Sequence, residues 1–334
     1  MRRFQIGILK GLTPNARWPA WQWAAVAVVA LIDLLWLIAT PLSLSSGSIW
    51  TLLNLLPLVV LGTWASSRLG AFPRLQVLCS GLCFLLVAWP ALRLYNHLTM
   101  TTALPMADGP LAQMDSIIGF NWLSYVSWLD RHPLLLQAMD QCYTGLTGYS
   151  IAIFVLLAVT DHFKEACGEL LELFVLMAIA CATIGALFPA AGAIIYFNPA
   201  PDAFINIAPK TGAYHLDHLS ALRTDANHVI DLRNLPGLVT MPSFHTAMGI
   251  AAIYCTRRTW WLFLPSLVVN SVMIASTPVF GAHYGIDIIG GSLVSWTAIL
   301  AIRARHRGKA MPRPLSQIFS DAPAVALKHP IKRH

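Results

Sequence analysis

Charged residues are scarce in this chain: Asp, Glu, Lys and Arg make up 11% of its 334 residues, whereas hydrophobic residues make up 57%. A soluble globular protein carries about 25% charged residues, so the composition excludes a soluble, a disordered or a fibrous protein. The mean hydropathy is +0.63. We therefore expect the chain to be integral to a membrane, with a lipid bilayer as its main solvent.

Cysteine patterns typical of zinc or disulfide proteins are also absent. The six cysteines form neither a paired CxxC signature nor a dense framework of the secreted kind. All but Cys167 lie well inside apolar runs, where a thiol behaves as a small hydrophobic side chain. We interpret the cysteines as packing residues and expect neither a metal nor another cofactor.

Long apolar segments, in contrast, are abundant. About 20 apolar residues in a helix cross a bilayer core of about 30 Å. Eight segments come close to this length and predict an all-α fold, a polytopic membrane helical bundle with about eight transmembrane helices. They are residues 19–40, 49–66, 75–95, 134–159, 168–189, 239–256, 260–280 and 284–303.

These segments divide the chain into three regions. Residues 1–74 hold an N-terminal tail and two additional spans, and residues 75–303 hold a six-helix core. Residues 304–334 form a basic C-terminal tail.

Basic residues are distributed unevenly between the two ends of the predicted bundle. The two tails and the loops after the second, fourth and sixth spans hold 17 of the 22 Lys and Arg residues. The positive-inside rule therefore predicts that both termini are cytoplasmic. Because this placement accounts for the net charge of +7, we expect no nucleic-acid partner. The other five basic residues lie at the opposite face: Arg93, Arg131, Lys210, Arg223 and Arg233.

Two histidines are predicted to lie at one membrane boundary. His245 lies at the start of the sixth span, and His283 lies between the seventh and eighth spans. With the orientation above, both face the non-cytoplasmic side. An ionisable side chain at membrane depth costs free energy, so such a residue indicates a functional site.

The residues around these histidines predict phosphoryl transfer through a phosphohistidine. Asp287 follows His283 by four residues, which places both on one helix face. A carboxylate beside an imidazole fixes its tautomer, so the other ring nitrogen is free to act as a nucleophile. His245 can protonate a leaving oxygen, and a helix start at Ser243 can bind a phosphate oxygen or simply serve as an N-cap. The alternative is a buried polar network that joins helices.

Two motifs carry a resemblance to a known family. The sequence PSFH, which ends at His245, resembles the PSGH motif of the type 2 phosphatidic acid phosphatase (PAP2) superfamily. The sequence GAHYGID, with His283 lying 38 residues after His245, resembles the second half of its SRxxxxxHxxxD motif. The resemblance implies a six-helix core in which His283 is the nucleophile, Asp287 orients it and His245 is the acid. It is closer to the branch of inositol phosphorylceramide synthases, which are inositolphosphotransferases, and their bacterial relatives.

The resemblance also implies a reaction and a location. We expect a membrane enzyme that acts on a phospholipid or lipid-phosphate substrate, and transfer to water would make it a lipid phosphatase. Transfer to an alcohol acceptor, such as inositol or a sphingoid lipid, would make it a phosphotransferase. The alternative is a non-catalytic lipid transporter or scaffold that keeps the fold. The expected location is a bacterial inner membrane, with the active site facing the periplasm or exterior.

The chain departs from the superfamily pattern in its cations. The KxxxxxxRP motif should follow the fifth span, but residues 187–193 read LFPAAGA, and Thr277 replaces the arginine of the third motif. The charge of a phosphoryl group still needs stabilisation. The non-cytoplasmic loop offers Lys210, Arg223 and Arg233, of which Arg223 is our first choice, because a guanidinium binds phosphate through two hydrogen bonds. A loop charge facing solvent or headgroups is the alternative for Arg223.

A histidine-rich segment in the same loop is a weaker candidate for a metal site. His215 and His218 flank Asp217, and His228 follows ten residues after His218. Such spacing is only suggestive of metal ligation, and we favour a polar loop.

Overall fold

The computed structural model describes residues 20–102, 104–209 and 211–309. The outermost parts of the two predicted tails, residues 1–19 and 310–334, lie outside the described residues, and so does the candidate phosphate ligand Lys210.

The described chain is almost entirely helical, as predicted. Its α-helices are α1 (Ala20–Ala39), α2 (Ser46–Arg68), α3 (Pro73–Thr99), α4 (Asp108–Ile117), α5 (Trp122–Asp130), α6 (Pro133–Thr144), α7 (Leu146–Leu157), α8 (Phe163–Leu187), α9 (Ala193–Phe197), α10 (Leu216–Thr224), α11 (Phe244–Thr256), α12 (Trp260–Phe280) and α13 (Gly285–Lys309). Two short strands, β1 (Ser43–Leu44) and β2 (Val229–Ile230), pair in parallel and tie the loop after α1 to the loop before α11.

Six helices of the described chain are long and apolar enough to cross a membrane: α1, α2, α3, α8, α12 and α13. They correspond to six of the eight predicted spans. The prediction of an all-α polytopic bundle is therefore confirmed, while the number of single spanning helices is six rather than eight.

The two other predicted spans are interrupted by helix-breaking residues that a hydropathy count ignores. The segment 134–159 forms two helices, α6 and α7, that meet at Gly145, where an added Cβ would lie 2.7 Å from the carbonyl oxygen of Gln141. The segment 239–256 becomes helical only at Phe244, because Pro242 precedes a serine N-cap at Ser243.

Helix α11 is short, but it lies at the centre of the bundle. It packs against α8, α12 and α13, and its buried face includes Ala247, Gly249, Ala251 and Ala252. A Cβ at Gly249 would lie 2.8 Å from the terminal methyl group of Met273 on α12. Small residues of this kind let membrane helices approach closely, so α11 is held firmly and its first turn has a defined position.

The two ends of α11 have different chemistry. At its C-terminal end, Arg257 forms an ion pair with Glu169 on α8, with a shortest distance of 2.8 Å. At its N-terminal end lie Ser243 and His245. A buried carboxylate beside a guanidinium is a structural contact, so the histidine end is the better candidate for chemistry.

Candidate active site

His283 and Asp287 form a buried pair at the start of α13. The Nδ1 atom of His283 lies 3.2 Å from Oδ2 of Asp287, and the same oxygen accepts a hydrogen bond of 2.9 Å from the backbone N–H of Tyr284. His283 is 3% exposed and Asp287 is fully buried. Because Nδ1–H donates to the carboxylate, Nε2 keeps its lone pair.

The turn that carries His283 is held by two further carboxylates. Asp115 on α4 accepts hydrogen bonds from the backbone N–H groups of Gly285 and Ile286, at 2.9 and 2.8 Å. Burial raises the pKa of the Asp115 carboxyl, and these two N–H groups oppose that shift. Asp108 accepts a hydrogen bond of 2.9 Å from the Tyr284 hydroxyl. Helix α4, which precedes both motifs in the sequence, thus fixes the first turn of α13 through Asp108 and Asp115.

Ser243 links α11 to this histidine. Its Oγ accepts a hydrogen bond of 3.3 Å from the Thr246 N–H, which makes it the N-cap of α11, and it lies 3.3 Å from Nε2 of His283. Its backbone N–H donates to the carbonyl oxygen of Asp287 at 3.0 Å. Since Nε2 has no proton, the Ser243 hydroxyl donates to it. The two helix starts are therefore joined at the predicted nucleophile.

His245 faces His283 across a short gap. Their ring centroids are 6.5 Å apart, with an angle of 65° between the rings. Tyr143 of α6 stacks on His245 at 4.2 Å, and its hydroxyl lies 3.0 Å from that of Tyr214. Both imidazoles line the same cavity, so one ligand can contact both.

A cavity of about 300 Å³ opens at these rings. Its polar side includes His245, His283, Tyr143 and Tyr214. Its apolar lining comes from residues of α3, α7, α8 and α11: Trp89, Leu92, Leu146, Phe174 and Phe244. The site can therefore hold a ligand with one polar end and one apolar end.

Comparison with protein families decides the identity of the fold. Residues 109–301, more than half of the chain, match the model of the PAP2 superfamily. The chain belongs to the PAP2 superfamily. Comparisons with curated proteins and with solved structures give no match. Membership supports a phosphatase or phosphotransferase type of function on lipid phosphates.

Two of the cations predicted for this PAP2 site, Arg223 and Arg233, lie away from the cavity. Arg223 on α10 donates a hydrogen bond of 2.6 Å to the carbonyl oxygen of Leu104 and does not line the cavity. Arg233 forms a bidentate pair with Asp231, at 2.9 and 2.6 Å. Arg223 thus binds a backbone carbonyl of the loop before α4, and Arg233 binds a carboxylate two residues away, contacts that composition could not reveal.

Of the three histidines in the histidine-rich segment, one, His215, lines the cavity. His215 is buried, and its Nε2 lies 3.1 Å from the carbonyl oxygen of Ala191. Burial lowers the pKa of His215, which favours the neutral ring. His218 lies near His97 instead, with ring centroids 6.3 Å apart. Within the described residues, no group of three or more His, Cys, Asp or Glu side chains is arranged to hold a metal ion.

Sequence reasoning missed Arg93 as a site residue. Arg93 lies on α3, lines the cavity, and places its guanidinium carbon 5.2 Å from the ring centroid of Trp89. A charged residue within the predicted span 75–95 was the available signal, since such residues usually mark functional positions. Tyr143 gave no comparable signal, because it contacts His245 only through the tertiary packing that places α6 against α12.

Gly281 provides the space that His283 occupies, and this leads to a prediction. An added Cβ would lie 2.6 Å from Cδ2 of His283 and 2.7 Å from the Tyr143 hydroxyl. We expect Gly281→Ala to displace the imidazole and to lower turnover on a lipid phosphate by about 100-fold, since a shift of about 1 Å costs that much. Gly148→Ala is the matched control, because a Cβ there meets no atom within 4 Å. Equal turnover in both variants would contradict the assigned position of His283.

Proposed function

We propose that this PAP2 superfamily member transfers the phosphoryl group of a lipid-linked phosphate through a phosphohistidine at His283. The observation that supports it best is the His283–Asp287 pair, which leaves Nε2 as the free nitrogen, with His245 on the opposite side of the gap. Nucleophile, orienting carboxylate and proton donor are the three groups that this reaction needs.

In the first step, the Nε2 lone pair of His283 attacks phosphorus. The bond between phosphorus and the leaving oxygen breaks, and His245 gives its proton to that oxygen, so the lipid alcohol departs. Asp287 stabilises the positive charge that forms on the His283 ring, through the hydrogen bond from Nδ1–H. The Ser243 hydroxyl, released from Nε2, donates to a phosphoryl oxygen, and the first N–H groups of α11 face the same negative charge.

In the second step, an acceptor hydroxyl attacks the phosphohistidine. His245, now neutral, takes the proton of the acceptor, and the phosphorus–nitrogen bond breaks, which restores His283. Water as acceptor yields free phosphate, and an alcohol yields a new phosphate ester. The His-Tyr sequence before Asp287 favours transfer to an alcohol such as inositol or a sphingoid lipid, because it resembles the inositolphosphotransferase branch.

The apolar side of the cavity supports a lipid as the donor. Trp89 stacks on Phe174 at 6.2 Å and is still 37% exposed, on a helix that is long and apolar enough to cross a membrane. A hydrocarbon chain entering beside this pair would keep its tail in the bilayer while its phosphate reaches the histidines. The distribution of basic residues favours the non-cytoplasmic face, such as the periplasmic side of a bacterial inner membrane.

A radiolabelled donor tests the proposal. The purified protein in detergent micelles is given a ³²P-labelled long-chain lipid phosphate, with and without inositol or a sphingoid alcohol. We expect the label to leave the donor, as free phosphate with water alone or as a phosphate ester of the added alcohol when the right acceptor is present. Gly148→Ala should behave like the native protein. Binding of the lipid without any release of label would instead favour the transporter or scaffold alternative.

A further inference from the structure

The transferred phosphoryl group needs a cation that the superfamily motifs of this chain do not supply. Residues 187–193 contain no Lys or Arg, and Thr277 replaces the arginine of the third motif. Arg223 and Arg233 are bound to a backbone carbonyl and to a carboxylate. Electrostatic stabilisation carries most of the catalysis of phosphoryl transfer, so another positive charge has to reach the cavity.

Arg93 is a half-buried cation that faces this cavity. It lies one helical turn after Trp89 on α3, and its guanidinium lies over the Trp89 ring. Among the ion pairs of the described residues, none involves Arg93. A guanidinium within a membrane-spanning helix is costly unless a counter-charge or water accompanies it, and an aromatic ring supplies only part of that compensation.

The surroundings of Arg93 connect it to the reacting groups. Arg93 lines the same cavity as Tyr214 and His245. The Tyr214 hydroxyl contacts that of Tyr143 at 3.0 Å, and Tyr143 stacks on His245. Arg93 therefore belongs to the polar side of the cavity, where the phosphate must lie when it is placed between the histidines.

We propose that Arg93 is the phosphate-binding cation of this site and that α3, which precedes the stretch matching the superfamily, supplies the charge that the motifs lack. The inference rests on the proposed function. Arg93 donates hydrogen bonds to the phosphoryl oxygens, for which the planar guanidinium is well suited. The Trp89 ring holds the arginine stem and borders the apolar path of the lipid chain, so one turn of α3 contacts both parts of the donor.

Binding of an unreactive phosphonate tests the inference. The full chain in detergent micelles is titrated by calorimetry with a short-chain alkyl phosphonate, whose phosphorus–carbon bond is not cleaved. We expect Arg93→Gln to raise the Kd by about 10- to 100-fold, the loss typical of a hydrogen-bonded charged group, and Arg93→Lys to restore part of the affinity. Arg131→Gln, which removes an exposed arginine at the same face, should bind as the native chain does.

Thermal unfolding checks that each variant is folded. If Arg93→Gln does not fold, Arg93→Met replaces it, because methionine keeps an unbranched stem over Trp89. An unchanged Kd after removal of the Arg93 charge would overturn the inference, and so would a loss of affinity in Arg223→Gln alone. Because phosphonate binding needs no turnover, the two proposals fail separately. If the chain turns over a lipid phosphate but binds the phosphonate equally well without Arg93, only the present inference is refuted. If binding depends on Arg93 but no turnover is found, only the proposed reaction is refuted.

Discussion

His283→Ala is expected to lower turnover on a lipid phosphate by about 10⁴-fold or more. The substitution removes the atom that attacks phosphorus, and no other nucleophilic side chain contacts Asp287 in the described structure. Nε2 is the ring nitrogen that does not face the carboxylate. Steady-state release of label from a ³²P lipid phosphate measures the loss.

The control for this variant is His132→Ala. His132 has an exposed ring whose Nδ1 lies 2.8 Å from the carbonyl oxygen of Trp128, away from the cavity. His132→Ala should retain native turnover, and His283→Ala should still bind an alkyl phosphonate. Native-like turnover in His283→Ala would show that His283 is not the nucleophile and would contradict the proposed mechanism.

His245→Asn is expected to lower turnover by about 10²- to 10⁴-fold when the leaving group is an alcohol. An alkoxide is a poor leaving group, so its departure depends on the proton from His245. The loss in the first step should fall below about tenfold for an alkylated p-nitrophenyl phosphate, because nitrophenolate leaves without a proton. Release of the leaving group within a single turnover, by the native chain and by the variant with both donors, measures this difference without the second step, in which His245 acts as the base.

The dependence on the leaving group separates an acid from a residue that only holds the site together. If His245 acted only by stacking on Tyr143, His245→Asn would lower turnover of both donors by the same factor. An equal loss would therefore contradict its role as proton donor. His245→Asn should also unfold within a few degrees of the native chain, since its ring is only half-buried.

Features that depend on neighbouring residues were predictable from the sequence. Hydropathy located six long helices, because each is a nearly continuous apolar run. The spacing of four residues predicted the contact between His283 and Asp287, although His283 lies in the turn that precedes α13 and not in the helix itself. Charge asymmetry placed His245 at the same boundary as His283, and the structure brings the two rings to 6.5 Å. Their catalytic roles stay predictions until turnover is measured.

Features that depend on tertiary contacts were not predictable in the same way. From the sequence, Arg223 was the preferred phosphate ligand. In the structure its guanidinium donates instead to the backbone carbonyl of Leu104, in the loop before α4. Arg93 looked like a flanking charge at the end of a span, but the packing of α3 against α8 places it at the cavity. The length of α11 was overestimated, because a hydropathy average does not detect the N-cap at Ser243, where the helix begins. The differences at Arg223 and Arg93 arise from contacts between residues far apart in sequence, whereas the start of α11 is set by a local cap.

The central claim is a covalent phosphohistidine, and the stereochemical course at phosphorus tests it most directly. The donor is a lipid phosphate made chiral at phosphorus with oxygen isotopes, and the configuration of the product ester or phosphate is determined. Two successive in-line displacements, first by His283 and then by the acceptor, predict overall retention of configuration. Inversion would mean a single direct displacement by the acceptor and would contradict the account.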